Sequence, residues 1–288
     1  MGVTIGRLWS VFKLRIGVAI MLCALAGLAV TPGPQPETWQ IVLLALAVLL
    51  SAASAGAFNQ YIERDLDARM ARTSRRPFVT GDFQAGPLWL STILLVLVLA
   101  VAMAAFALNI YVALHVFLGA FVYGVVYTVW LKTRTWLNIV LGGLAGSFAV
   151  LAGASAVDPS LPPAPVILSI VLFLWTPPHF WSLATAMHKD YAKAGVPMLP
   201  VVVGDALAAK VILGHTVALV LLSLVPVAYG LGWIYLLGAV AGGGWFILAS
   251  YRLVLRPGPA AAMVNFRASL LQLSLLLLAA IIDRGLLA

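Results

Sequence analysis

Long apolar runs alternate with short polar connections along the whole chain. Nine runs can each cross a bilayer, at roughly 11–31, 38–62, 87–108, 110–131, 137–157, 163–187, 206–229, 231–252 and 265–283. Each is close to the roughly 20 residues that a spanning helix needs. Leu, Ala and Val dominate, and period-two alternation is absent. The pattern therefore predicts helices rather than the shorter, alternating strands of a membrane β-barrel.

The connections fall into two kinds. TPGPQPE, the turn at Asn109, DPSLPPAP and the turn around Gly230 hold no Lys or Arg. The other connections and the N-terminus hold sixteen of the seventeen basic residues, with Arg284 alone on the opposite side. Such asymmetry predicts an odd number of spans, with the N-terminus in the cytoplasm and the C-terminus outside.

Composition agrees. Hydrophobic residues make up 63% of the 288 positions and charged residues only 9%, against about 25% charged in soluble domains. The net charge of +8 does not point to nucleic acid, because the charges sit between apolar runs. Cys23 is the single cysteine, so intrachain disulfides and thiol-pair metal sites are excluded. Arg7, Lys13 and Arg15 before Ile16–Val30 resemble the start of a signal peptide. An attached first span is the preferred reading, since no small-x-small cleavage site precedes TPGPQPE.

One connection concentrates charge of both signs. NQYIERDLDARMARTSRRP, from Asn59 to Pro77, carries five arginines and three carboxylates. Asn59, Glu63 and Asp67 are spaced by four, which keeps them on one helix face with a drift of about 40° per step. Amide and carboxylate oxygens suit a hard cation such as Mg²⁺, which binds through a few carboxylates plus substrate phosphates. Arg72, Arg75 and Arg76 follow, and guanidinium groups grip phosphate bidentately. A metal-bound diphosphate is one reading. A solvated loop of ion pairs serving only topology is the other. Asp65 lies about 200° around the helix from Glu63 and ranks below it.

A second acidic stretch, WTPPHFWSLATAMHKDYAKAGVPMLP, follows the sixth run. Pro177-Pro178 is expected to break or kink that helix. Asp190 and Lys193 share a helical turn, and two acidic sites facing one another could hold two Mg²⁺ ions; simple pairing of Asp190 with Lys189 or Lys193 is the alternative. Lys132 and Arg134 add charge on the same side. Tyr127, Trp130 and Trp136 suit an interfacial aromatic belt, and Tyr127 is also a candidate substrate contact. Gly142, Gly143 and Gly146 suit close helix packing. Of four histidines, His179 and His188 flank the second acidic stretch and are candidate contacts for an acceptor substrate.

These stretches resemble the UbiA-type intramembrane prenyltransferases. NQYIERDLDARMARTSRRP, YTVWLKTRTWLNIVLGG, FLWTPPHFWSLA and DYAKAGVPMLP are similar, more narrowly, to the haem-farnesylating branch, over about Lys13–Arg267. The first motif marks only the superfamily, and TPPHFWSLA with DYAKAGVPMLP is more specific. The resemblance implies one domain over 1–288, with nine helices around a central cavity open to the cytoplasmic side of a bacterial inner membrane. It implies Mg²⁺ held by Asn59, Glu63, Asp67 and Asp190, with Arg72, Arg76, Lys132 and Lys193 around the diphosphate. Glu63 stands where that family usually has Asp. Ala194 stands where quinone-type relatives carry a second acid. The implied reaction joins farnesyl diphosphate to a vinyl group of haem B, with water capturing the resulting cation to give haem O. Lipid is an implied partner, as are haem A synthase or terminal-oxidase assembly factors. A prenyltransferase acting on a quinone precursor, a transporter and a purely structural subunit are the competing readings.

Overall fold

Lys13 interrupts the first apolar run, and the chain bends there. The computed structural model describes residues 2–287, and every regular element among them is helical. Helices α1 (Gly2–Val11) and α2 (Leu14–Val30) meet at 53°. Between them Lys13 has φ 48° and ψ 42°, a left-handed conformation that costs a non-glycine residue roughly 1–2 kcal/mol. The first span therefore starts earlier than the apolar run suggested and is bent, because a charge inside it turns towards the protein rather than towards lipid.

The chain continues through α3 (Thr38–Ile62), α4 (Arg64–Asp67), α5 (Pro77–Thr80), α6 (Pro87–Ala107) and α7 (Ile110–Phe121). A π-helical stretch, Val122–Leu131, extends α7, followed by α8 (Asn138–Gly142), α9 (Leu144–Val157) and α10 (Pro163–Ala186). The rest is α11 (His188–Ala194), α12 (Leu199–Val203), α13 (Asp205–Leu224), α14 (Trp233–Leu255) and α15 (Pro259–Leu287). Among the described residues eight helices are long and apolar enough to cross a membrane, or nine when the bent α1–α2 pair is counted as one span.

Packing runs α2–α3–α6–α7–α9–α10–α13–α14–α15 and returns from α15 to α2, closing a ring. Across it α2 packs on α9. A Cβ added to Gly153 would lie 1.8 Å from the Ala24 carbonyl oxygen, and one on Gly27 would lie 2.1 Å from that of Val150. Small residues let two backbones touch, which is how helices gain contact where lipid is as apolar as the side chains. Gly142 and Gly143 serve the expected packing role, against Tyr127 and Thr176, whereas Gly146 has no contact that tight.

The proline pair does not break α10, which runs unbroken through Pro177 and Pro178. Hydroxyls supplement the backbone on either side. Thr176 Oγ1 donates to the Leu172 carbonyl at 3.0 Å, and Ser182 Oγ donates to the Pro178 carbonyl at 2.5 Å. Tolerance of this kind is expected when neighbouring helices and Ser/Thr groups stand close by. At the other end of the bundle, the buried Asp283 of α15 accepts from the N–H groups of Gly232, Ile234 and Tyr235 at 2.6, 3.1 and 3.2 Å. A carboxylate that caps a neighbouring helix this way is satisfied although it is buried.

Replacing Gly153 by Ala forces a methyl group into a backbone carbonyl and is expected to cost about 1–3 kcal/mol or more. Gly214→Ala on α13, where an added Cβ meets nothing within 4 Å, should leave stability unchanged or raise it by up to about 1 kcal/mol. Thermal unfolding of both variants in detergent checks this, and equal melting temperatures would contradict the packing argument.

Candidate active site

Three oxygen-bearing side chains lie buried at the C-terminal end of α3. Asn59, Glu63 and Asp67 are 2%, 4% and 2% exposed, while Arg64 and Asp65 face outward. Regular α-helix stops at Ile62, but the four-residue spacing survives the break. The Glu63 N–H donates to the Asn59 carbonyl at 2.9 Å and the Asp67 N–H to the Glu63 carbonyl at 2.7 Å. The sequence argument that set Asp65 apart from its neighbours therefore holds.

Each member of the trio meets a cation. Lys13 Nζ donates to Asn59 Oδ1 at 2.5 Å and to the Tyr123 hydroxyl at 3.0 Å. Lys132 Nζ donates to Glu63 Oε2, and Arg76 donates to Asp67 Oδ2 at 2.6 Å. Asn59 Nδ2 donates to Thr128 Oγ1 at 2.9 Å, which fixes the amide with its oxygen towards Lys13. Glu63 Oε1 is buried without a partner. Burial pushes the Lys132 ammonium below its ordinary pKa, and the Glu63 carboxylate pulls it back up. Removing one partner of the Lys132–Glu63 or Arg76–Asp67 pair leaves the other charge without its partner.

The π-helical segment turns Tyr123, Tyr127 and Thr128 towards this trio. Tyr123 and Tyr127 stack with ring centroids 5.6 Å apart, and the Lys13 and Lys132 ammonium groups lie 5.6 and 5.7 Å from their respective ring centres. π-Helical turns recur at functional sites, and aromatic faces stabilise such cations. Trp130 and Trp136 stay exposed, while Tyr127 is buried in the site wall.

Two cavities meet here. A polar one of about 420 Å³ is lined by Lys13, Asn59, Asp67, Lys132 and the three arginines 72, 75 and 76. An apolar one of about 380 Å³ extends from it between α2, α3, α7, α9, α10 and α15. Lys13, Ile16, Tyr123, Tyr127 and Phe180 line both. Such a pair of chambers can hold an amphipathic molecule with a strongly anionic head and a hydrocarbon body.

The second acidic stretch lies differently from the expectation. From α11 it is Tyr191 that lines the polar cavity, and Asp190, Lys193 and His188 line neither cavity. Successive residues on a helix point about 100° apart, so the turn that sends Tyr191 inward sends Asp190 aside. Burial raises the Tyr191 phenol pKa, opposed by Arg72. Lys193 is exposed, and His188 Nδ1 pairs with Asp205 Oδ1 at 2.8 Å, tying α11 to α13. His179 lines the apolar cavity rather than flanking Asp190. Its Nδ1 meets Ser269 Oγ at 2.7 Å, and its ring stacks between Trp175 and Phe266 at 4.2 and 4.5 Å. Among the described residues, no three of His, Cys, Asp and Glu gather in an arrangement that holds a metal ion. The trio still offers the oxygen chemistry that a hard cation requires, with one orphaned carboxylate oxygen already in place. Lys13, Tyr123, Thr128 and Tyr191 escaped sequence reasoning. The one available signal was a lysine inside a segment otherwise apolar enough to span a membrane.

A family model described as the UbiA prenyltransferase family matches residues 20–276. The chain is 61% identical over 274 residues to "Protoheme IX farnesyltransferase 2" of Paramagnetospirillum magneticum, covering 95% of each chain. Among solved structures, it is similar to a digeranylgeranylglyceryl phosphate synthase, with a TM-score of 0.80, 18% identity and 97% and 98% of the two chains covered. It is also similar to a UbiA homologue from Archaeoglobus fulgidus bound to DMAPP and Mg²⁺, with a TM-score of 0.69, 19% identity and 96% and 99% covered. A bundle of apolar helices around a polar site, matched over most of its length by these relatives, is an integral membrane protein that belongs to the UbiA prenyltransferase family and, within it, to the protohaem IX farnesyltransferases.

Proposed function

We propose that this chain transfers the farnesyl group of farnesyl diphosphate to a vinyl carbon of haem B, releasing diphosphate, and that one water adds to the resulting cation, losing a proton, to give haem O. The observation that carries the reading is the continuity of the two chambers, one walled by cations and the Asp67 carboxylate and the other apolar. The whole chain, 1–288, acts as one prenyltransferase domain, with the charged end and the N-terminus on the cytoplasmic side of a bacterial inner membrane. That orientation rests on the basic residues gathered at the same end as the site.

Asn59, Glu63 and Asp67 would hold Mg²⁺, with Asp190 reaching the site only by a movement of α11. The ion would neutralise charge on the departing diphosphate. Arg72, Arg76 and Lys132 bind the diphosphate oxygens, and preorganised cations of this kind are the largest catalytic contribution such a site can make. Lys193 lies too exposed to contribute before the same movement. Tyr127 and Tyr123 face the junction of the chambers, where their π-faces stabilise an allylic cation. The apolar walls keep bulk water from that cation. His179, on the apolar chamber, contacts the acceptor, whereas His188 serves α11 through Asp205.

Membranes containing this chain, incubated with farnesyl diphosphate and either haem B or 4-hydroxybenzoate, should yield haem O by mass spectrometry and no prenylated benzoate. The opposite result would favour a quinone-precursor enzyme. Asp67→Asn keeps the side-chain shape and removes the charge, and turnover should fall by about 10²–10³-fold with the protein still folded. Wild-type turnover would remove Asp67 from the metal site. Arg76→Ala should raise the KM for farnesyl diphosphate by roughly ten-fold or more, the worth of one charge-assisted hydrogen bond. An unchanged KM would confine Arg76 to its pairing with Asp67.

A further inference from the structure

Lys13 stands in a place that topology does not explain. A lysine at the charged end of a span normally runs its stem out to the interface. Here the backbone takes a left-handed conformation at that residue, and the side chain turns into the bundle. Its methylenes pass along α3 at Gly56, where even an added Cβ would lie 3.2–3.4 Å from them. Backbone strain of this kind persists where the surroundings hold it, and it clusters at functional sites.

The ammonium ends on Asn59 Oδ1 at 2.5 Å and the Tyr123 hydroxyl at 3.0 Å. An amide oxygen in that position is a donor that a hard cation would use, and such a cation needs an approach of about 2.0–2.1 Å for Mg²⁺. An ammonium and a metal ion cannot both occupy it. Lys13 also lines both chambers, as none of the other cations around the diphosphate chamber does. An amphipathic diphosphate seated with its head in one chamber and its chain in the other puts its carbon–oxygen bond at that shared wall.

We infer that Lys13 is a catalytic residue that holds Asn59 while the site is empty and moves to the bridging oxygen of the diphosphate when metal and substrate enter together. This rests on the proposed prenyl-transfer reading. The bond between the allylic carbon and the bridging oxygen breaks heterolytically, and the electron pair goes to oxygen. The ammonium donates a hydrogen bond to that oxygen and keeps its proton. Charge on the oxygen grows only as the bond breaks, so the contact strengthens in the transition state, where it raises kcat more than it lowers KM. The amide released by the lysine becomes available to the metal.

The test uses the full chain in detergent, with Mn²⁺ binding followed by electron paramagnetic resonance and kcat by haem O formation. Lys13→Met should lower kcat by about 100-fold or more with KM changed by less than about three-fold. The same variant should bind Mn²⁺ alone roughly ten-fold more tightly than the wild type does, because the amide oxygen is vacated. Lys13→Arg, which keeps a cation, should recover activity to within about ten-fold of wild type. Should Lys13→Met fail to fold by thermal unfolding, Lys13→Gln takes its place in the same comparison. A kcat near the wild-type value, or Mn²⁺ affinity unchanged or weakened in a folded variant, overturns the inference. So does Lys13→Arg as inactive as Lys13→Met. Asp67→Asn separates the two readings, since normal Mn²⁺–pyrophosphate binding there would sink the metal site itself and leave Lys13 aside.

Discussion

Charge neutralisation inside an apolar bundle governs this molecule. Asn59, Glu63 and Asp67 are almost wholly buried at one end of α3, and no membrane protein tolerates two such carboxylates unpaired. Lys13, Lys132 and Arg76 arrive from three separate segments to meet them. Each arrival shapes the backbone that supplies it. The first span bends at Lys13, the fourth goes over into π-helix before Lys132, and the loop after α4 folds back to bring Arg76 to Asp67. The polar chamber is the space these pairs enclose.

The same pairs hold a site ready for an anionic guest. Three cations face two carboxylates and a neutral amide, which leaves positive charge in excess, and a prenyl diphosphate bearing one Mg²⁺ carries a net negative charge that offsets it. A ligand that supplies both positive and negative charge can exchange with them at little electrostatic cost. Below the pairs, the chamber becomes apolar within two turns of α2, from Lys13 to Ile16 and Ala19. A head group and a hydrocarbon chain thus find opposite environments side by side. The close packing of α2 on α9 through Gly27 and Gly153 keeps the lower chamber narrow and its wall rigid.

The local features were largely legible. The Asn59, Glu63 and Asp67 spacing predicted a shared face, and the break after Ile62 did not disturb it, because the backbone bonds one turn back persisted. Asp65 was separated from its neighbours for the same helical reason. The proline pair does not end the helix, because helix-breaking rules describe a helix in water, whereas α10 lies between neighbours and continues through Pro177 and Pro178. The placement of Asp190 and His179 was less legible. Nearness in sequence suggested that His179 stood by the acidic loop, but the helix carries it into the bundle, against Ser269.

Taken alone, the order of apolar runs, the asymmetry of basic residues and the motif residues determined an all-helical membrane protein with its candidate site at the charged end. Those properties depend on contacts within a turn or on partition between lipid and water, both of which are local. Tertiary structure decided which lysine faces which carboxylate, that Lys13 turns inward, and that Tyr191 rather than Asp190 enters the chamber. Such choices depend on where distant helices come to lie and on the rotation of each about its axis, and both are set by the packing of the ring as a whole.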